Sequence, residues 1–148
     1  MNIIICGLQG TGKTTLSKQI SNLFGFKYIN DYTICSNKID EEKIIKFIND
    51  NDNFVLDLCY SLKPSNCLKF KNIIPYYLGF VSIDENLLFK LMKNKGENIS
   101  LKQIKDNITI SKKMQEKCRL LKIPFYDINK ERQFIIDEIL LDLKNKLN

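Results

Sequence analysis

Gly7-Leu8-Gln9-Gly10-Thr11-Gly12-Lys13-Thr14 is a complete G-x-x-x-x-G-K-[ST] stretch, and its setting decides how the chain is read. The apolar run Ile3-Ile4-Ile5-Cys6 leads directly into it, and a helix-compatible stretch from Thr14 to Phe24 leaves it. A strand, a glycine-rich turn that exposes backbone N–H groups, and a helix whose positive dipole end faces the turn together build a phosphate-binding loop. The expected ligand is a nucleoside triphosphate. Gly7, Gly10 and Gly12 allow tight turns and close approach of phosphate oxygens where a Cβ would intrude. Thr11 completes the loop. Lys13 places an ammonium on the β- and γ-phosphates, Thr14 presents its hydroxyl to Mg²⁺, and Thr15 adds a donor near the α-phosphate. The competing reading, a ligand-free glycine-rich turn before a helix, has every fixed position of the pattern against it.

At 148 residues the chain is expected to form one domain over 1–148, large enough for a continuous core. The longest early apolar run ends in the phosphate loop, and no run approaches the roughly 18 apolar residues that span a bilayer. A cytoplasmic protein without a membrane partner is the expectation. The net charge of +6 comes almost wholly from scattered lysines, since Arg119 and Arg132 are the only arginines. With no block of like charge, nucleic acid is disfavoured as a partner, and anionic phosphate substrates are the better use of the excess. The chain has no histidine and no C-x-x-C among its five cysteines. That removes a Cys–His pair, a histidine base and the usual zinc spacings.

Strands and helices alternate. Strands are expected at about Asn2 to Cys6, Lys27 to Asn30, Phe54 to Asp57, Tyr76 to Ser82 and Pro124 to Ile128. Helices are expected from Lys13 to Phe24 with Gly25 as the stop, and from Asp40, as cap, through Asp50. Pro64 starts a short helix toward Lys71, and another runs from Asp84 to Lys95. Ser100 followed three residues later by Gln103 is a capping box opening a long helix through about Leu121. The last helix runs from Glu131 to about Leu147, with Phe134, Ile135, Ile139, Leu140 and Leu143 turned inward. Five short apolar strands separated by helices imply a parallel α/β sheet covered on both faces. Right-handed crossovers then gather every strand's C-terminal end on one edge, with the phosphate loop, Asn30-Asp31, Asp57 and the segment after Asp127.

These segments resemble the small kinases of the P-loop NTPase superfamily, related to nucleoside monophosphate, shikimate and gluconate kinases. The resemblance rests on Phe24-Gly25-Phe26-Lys27-Tyr28-Ile29-Asn30-Asp31, Phe54-Val55-Leu56-Asp57, Tyr77-Leu78-Gly79-Phe80 with the helix after it, and Ile123-Pro124-Phe125-Tyr126-Asp127 with Arg132. It implies a three-layer αβα fold with strand order 2-3-1-4-5 and a short lid region around 90–120. It also implies Mg²⁺-dependent transfer of the ATP γ-phosphoryl group to a small hydroxyl or phosphate acceptor. On that likeness Asp31 holds or deprotonates the acceptor hydroxyl; otherwise it is a surface residue capping the segment from Tyr32. Asp57 reaches the Mg²⁺ shell, or is simply a strand-ending aspartate. Arg132 lies where the nucleotide base would stack. Arg119 is either a lid-side phosphate contact or a helix C-terminal cation. Tyr32 and Tyr60 either line an acceptor pocket or pack.

The chain departs from the likeness at the lid. Where related kinases carry arginines that clamp the transferring group, it offers Lys90, Lys93 and Lys95, with Asn94 between, and these also suit a solvated helix face. The loop from Gly96 to Ile99 is too short for a large or zinc-bearing lid. The functional expectation is therefore an ATP-dependent phosphotransferase. The alternative is a nucleotide-dependent switch without a small-molecule acceptor, and a kinase acting on nucleic-acid ends is a distant third.

Overall fold

The computed structural model describes residues 1–129 and 131–148. Five strands, β1 (Asn2–Gly7), β2 (Lys27–Asn30), β3 (Phe54–Leu58), β4 (Ile73–Gly79) and β5 (Phe125–Asp127), form one sheet in the order β2-β3-β1-β4-β5. Every pairing is parallel. The helices are α1 (Lys13–Phe24), α2 (Asp31–Cys35), α3 (Glu41–Asp50), α4 (Pro64–Cys67), α5 (Glu85–Asn94), α6 (Leu101–Leu121) and α7 (Arg132–Leu147). Among the described residues no helix is long and apolar enough to cross a membrane.

Alternate residues of the central strands feed two cores. Ile3, Ile5, Val55, Tyr76 and Leu78 pack against Leu16 and Ile20 of α1 and Ile135, Ile139 and Leu143 of α7. Ile4, Cys6, Leu56, Leu58 and Tyr77 pack on the opposite face against Ile44 and Ile48 of α3 and Met114 and Cys118 of α6. This is the three-layer αβα sandwich that a buried parallel sheet requires. Local signals set many boundaries. Gly25 ends α1 at φ 76°, where its N–H reaches the Ser21 carbonyl. Asp40 caps α3 through the Glu42 N–H, and Ser100 with Gln103 closes a reciprocal capping box on α6.

Three expectations need correction. β4 runs from Ile73 to Gly79, not from Tyr76 to Ser82, and passes through Pro75. The Tyr77 N–H points to the Pro124 carbonyl at 3.0 Å, so Pro75, two residues earlier, turns its missing N–H to the same side. β5 begins only opposite Tyr77, so no ladder bond is lost there. Second, the segment from Tyr32 is a short helix whose cap is Asn30, with its side chain accepting from the Thr33 N–H at 2.9 Å. Third, Phe134 is 67% exposed, because the buried line of α7 is 135, 139 and 143, and position 134 lies about 100° away from it. The stretch around 90–120 comprises the end of α5, a link over 95–100 and most of α6. Within α6, Ile104, Ser111, Met114 and Cys118 are buried.

Candidate functional site

Parallel register assembles the site at the C-terminal ends of β1, β2 and β3. Ile5 stands opposite Asp57, and Asn30 stands opposite Asp57 on the other side. The carboxylate at the end of β3 is thereby brought beside the start of the glycine-rich loop and the end of β2. The loop folds on itself: the Thr11 hydroxyl donates to the Leu8 carbonyl at 2.7 Å, and its N–H reaches the same oxygen at 3.2 Å. Thr11 is buried, and its side chain braces the loop. Gly10 and Gly12 adopt φ of 87° and 86°, which only glycine takes without strain, and Gly12 is the N-cap of α1. A Cβ on Gly10 would also come within 2.8 Å of Met92 Cε.

Asp57, 2% exposed, accepts three side-chain hydrogen bonds. Lys13 Nζ donates to Oδ1 at 2.9 Å, while Thr14 Oγ1 and Tyr28 Oη each donate to Oδ2 at 2.6 Å. Burial pushes the Asp57 carboxyl up, but these three donors outweigh it and hold it below the usual carboxylate range. Burial pulls the Lys13 ammonium down, and Asp57 outweighs that in turn, keeping it above its ordinary value. Burial and then the neighbouring Asp57 push the Tyr28 phenol up, so it remains a donor. Cys59, two residues beyond Asp57, is half-buried, and burial raises its thiol against the opposing pull of Lys13.

Thr14, Thr15 and Gly12 line a cavity of about 290 Å³ over the loop, together with Lys95, Glu97 and Arg132. Arg132 reaches in from the first turn of α7 and donates through Nη2 to the Gly10 carbonyl at 2.8 Å. Burial lowers its guanidinium from the usual value. Lys95, the C-cap of α5, is pulled down by burial and then by Arg132 beside it. Across the cavity Gln9 Nε2 donates to Glu97 Oε2 at 2.5 Å, tying the 95–100 link to the loop. A second, apolar cavity of about 290 Å³ continues past Gly10 and Arg132 between Phe80, Leu88, Met92 and Ile128.

Asp31 is drawn into a different cluster. It is 1% exposed, and its Oδ1 accepts from the Tyr32 N–H at 3.0 Å. Its Oδ2 accepts from the Cys59 N–H at 2.8 Å and the Ser61 hydroxyl at 3.0 Å. It therefore braces the chain leaving β3 and is not a surface cap. Tyr60 sits in this brace at φ 40°, a conformation an L-residue rarely adopts, and its hydroxyl donates to the Leu78 carbonyl at 2.6 Å. Tyr32 is 63% exposed. Arg119 lies in the last turn of α6 with Nε 3.0 Å from Glu116. Lys90 and Lys93 are exposed, and Lys93 covers the Phe89 ring at 5.5 Å.

Sequence reasoning missed Tyr28, Gln9 and Glu97. The alternation of β2 was the available signal for Tyr28, because it sits two residues before Asn30 and so on the same sheet face. Glu97 gave no signal, since its contact crosses 88 residues of chain.

No protein-family model matches the chain. Solved structures do align with it along its length. YorR from Bacillus subtilis, in complex with phosphorylated GDP, superposes with a TM-score of 0.65 at 18% identity, covering 99% of this chain and 97% of that one. A gluconokinase from Sinorhizobium meliloti 1021 gives a TM-score of 0.65 at 16% identity, with coverage of 97% and 91%. Shikimate kinase from Acinetobacter baumannii, in complex with shikimate, gives 0.64 at 19%, with coverage of 99% and 95%. At these identities the likeness is one of fold, and the fold is that of the small P-loop kinases.

Proposed function

We propose that this chain is a small ATP-dependent phosphotransferase that moves a γ-phosphoryl group to a small hydroxyl or phosphate acceptor. The observation that carries the reading is the engagement of Asp57 with Lys13 at 2.9 Å and Thr14 at 2.6 Å beside a glycine-rich loop. That arrangement holds a transferable ammonium, a hydroxyl and a carboxylate at the N-terminus of α1, where phosphates are favoured.

Thr14 and Asp57 fit a hard cation such as Mg²⁺: both offer oxygen, and the Thr14 hydroxyl, by donating its hydrogen to Asp57, leaves its lone pairs for the metal. When bound, Mg²⁺ would neutralise charge developing on the phosphate oxygens. The chain's own residues do the remaining work. Lys13 exchanges Asp57 for the β- and γ-phosphate oxygens. Lys95 and Arg132, entering from separate helices, supply the positive charge that a lid arginine supplies elsewhere, Lys95 as a point charge and Arg132 as a fork. Asp31 accepts one hydrogen bond on Oδ1 and two on Oδ2, and an acceptor hydroxyl would bond to it at the open Oδ1 position or in place of the Ser61 hydroxyl on Oδ2. Its chemistry there is orientation, because phosphoryl transfer asks mainly for positioning and charge stabilisation.

The test is ADP release from Mg·ATP in the presence of a panel of hydroxyl and phosphate metabolites, against a Lys13→Ala control. GTP belongs in the panel as a donor, since the nucleotide named with YorR is a guanine nucleotide. One acceptor raising product release well above the control is the expected result. If none does, while nucleotide still binds, phosphotransfer is lost as the function.

One contact favours the switch reading as the alternative. Glu97 puts a carboxylate on the wall of a cavity whose other charged lining residues are Lys13, Lys95 and Arg132, and it is anchored to the loop through Gln9. A polyphosphate entering that cavity would repel it and release the link. Glu97→Gln is therefore expected to tighten nucleotide binding several-fold, since a like-charge repulsion of about 1 kcal/mol is removed at this partly exposed position. Titration with a fluorescent ATP analogue measures it. Unchanged or weaker binding would mean that Glu97 does not oppose the nucleotide.

A further inference from the structure

We infer that Tyr28 is the residue that aims the Asp57 carboxylate at the Thr14 hydroxyl, and so sets how strongly the site holds a divalent cation with its nucleotide. The inference rests on the reading of Thr14 and Asp57 as the metal side of the phosphate loop, and deepens it. Asp57 Oδ2 accepts from Thr14 Oγ1 and from Tyr28 Oη, both at 2.6 Å, so one oxygen is fixed from two directions by two different elements. Among the described residues, Lys13 is the side chain that holds Oδ1, at 2.9 Å. Once Lys13 turns to phosphate oxygens, Oδ1 is left without a side-chain partner. The Thr14 contact by itself does not fix the plane of the carboxyl group, because a single hydrogen bond leaves it free to rotate. Tyr28 supplies the second point of attachment.

The phenol suits the task. It comes from β2, whose Asn30 is in register with Asp57, so its reach is set by the sheet and not by a loop. Its ring lies under the Lys18 ammonium at 5.5 Å, which keeps it in place without using the hydroxyl. Partners of this kind, one bond out from a metal, typically change metal affinity by about 10- to 100-fold when removed. They do so by orienting the ligating group, and here that group is the Thr14 oxygen.

Tyr28→Phe removes only the hydroxyl and leaves the ring and its contact with Lys18. The experiment titrates a fluorescent ATP analogue into wild type and Tyr28→Phe, in excess EDTA and across a Mg²⁺ series, with the melting temperature of each recorded. In EDTA the two proteins are expected to bind alike. The Mg²⁺ concentration giving half-maximal enhancement should rise about 10-fold in the variant. Equal Mg²⁺ dependence in the two proteins would overturn the inference. So would a loss of the same size with and without Mg²⁺, because that is what a merely structural residue produces. If the wild-type protein shows no Mg²⁺ enhancement at all, the failure lies with the reading of Thr14 and Asp57, and the role given to Tyr28 falls with it.

Discussion

Lys13→Ala is expected to abolish measurable phosphoryl transfer and to lower the melting temperature in the same protein. The catalytic part follows from charge. The ammonium is the one cation that α1 itself delivers to the phosphate cavity, and removing a single preorganised donor to developing charge costs about 10²–10³ in kcat. The stability part follows from what stays behind. Lys13 and Asp57 are only 14% and 2% exposed at a separation of 2.9 Å. Deleting one partner of a buried pair costs about 3–5 kcal/mol, because the other charge is left uncompensated. Thr14 and Tyr28 still donate to Asp57, which places the loss at the lower end of that range. For a domain of this size that is a fall of about 6–12 °C. The double variant Lys13→Ala/Asp57→Asn should recover much of the melting temperature and none of the turnover. The pH dependence has a definite sign. Asp57 is held below its unfolded value, so its contribution is complete above about pH 4 and disappears as pH falls through the folded value. The deficit of Lys13→Ala should therefore be widest at neutral pH and narrow in acid. If single and double variants melt alike at neutral pH, Asp57 is not the stranded charge.

How far the sequence reads correctly depends on the range of each determinant. Gly25, the Ser100–Gln103 box, Asp40 and Pro64 act within one turn of helix, and the element ends they imply are where the structure has them. The alternation of elements implies a covered parallel sheet, and the likeness of the segments to the small P-loop kinases implies its order, β2-β3-β1-β4-β5. Determinants that cross the chain were not legible. Pro75 sits within β4 at no cost because β5 is three residues long and pairs from Tyr77 onward. Asp31 looks the same in sequence whether it faces an acceptor or braces a turn. The decision rests with the Cys59 N–H and the Ser61 hydroxyl, about thirty residues away. Phe134 is apolar like its neighbours in sequence, but the packing line of α7 is set by what α1 and the sheet leave room for. The turn from Gly7 to Gly12 and the start of α1 at Lys13 are legible because they are contiguous in the chain.

Gly79→Ala is the second change with a large expected effect, and it concerns a residue whose importance lies wholly in its neighbours. Gly79 ends β4 opposite Asp127. A Cβ there would lie 2.6 Å from Tyr60 Oη, 2.7 Å from Phe125 Cζ and 2.8 Å from Ser111 Oγ. Two of the three are held by hydrogen bonds. Tyr60 Oη is bonded to the Leu78 carbonyl at 2.6 Å, and Ser111 Oγ, fully buried on α6, accepts from the Phe80 N–H at 3.0 Å. Overpacking a well-filled site costs about 1–3 kcal/mol, and leaving a buried polar group unpaired adds about 1–3 kcal/mol. A total of about 2–6 kcal/mol lowers the melting temperature by about 4–24 °C. Gly25→Ala is the control: its φ is 76° but nothing lies within 4 Å, so only backbone strain of about 1–2 kcal/mol is expected. Combining Gly79→Ala with Tyr60→Phe should cost less than the sum of the two, because removing the hydroxyl clears the shortest contact. Strict additivity would show that Tyr60 is not the obstacle. The same cycle reaches the site. Tyr60 is followed by Ser61, the residue bonded to Asp31, so on the proposed function a displaced Tyr60 should disturb the acceptor side and leave the loop from Gly7 to Thr14 intact. In the folded fraction of Gly79→Ala, nucleotide affinity should therefore stay near wild type while the KM for the acceptor rises. A parallel loss of nucleotide affinity would mean that the end of β4 supports the phosphate loop as well.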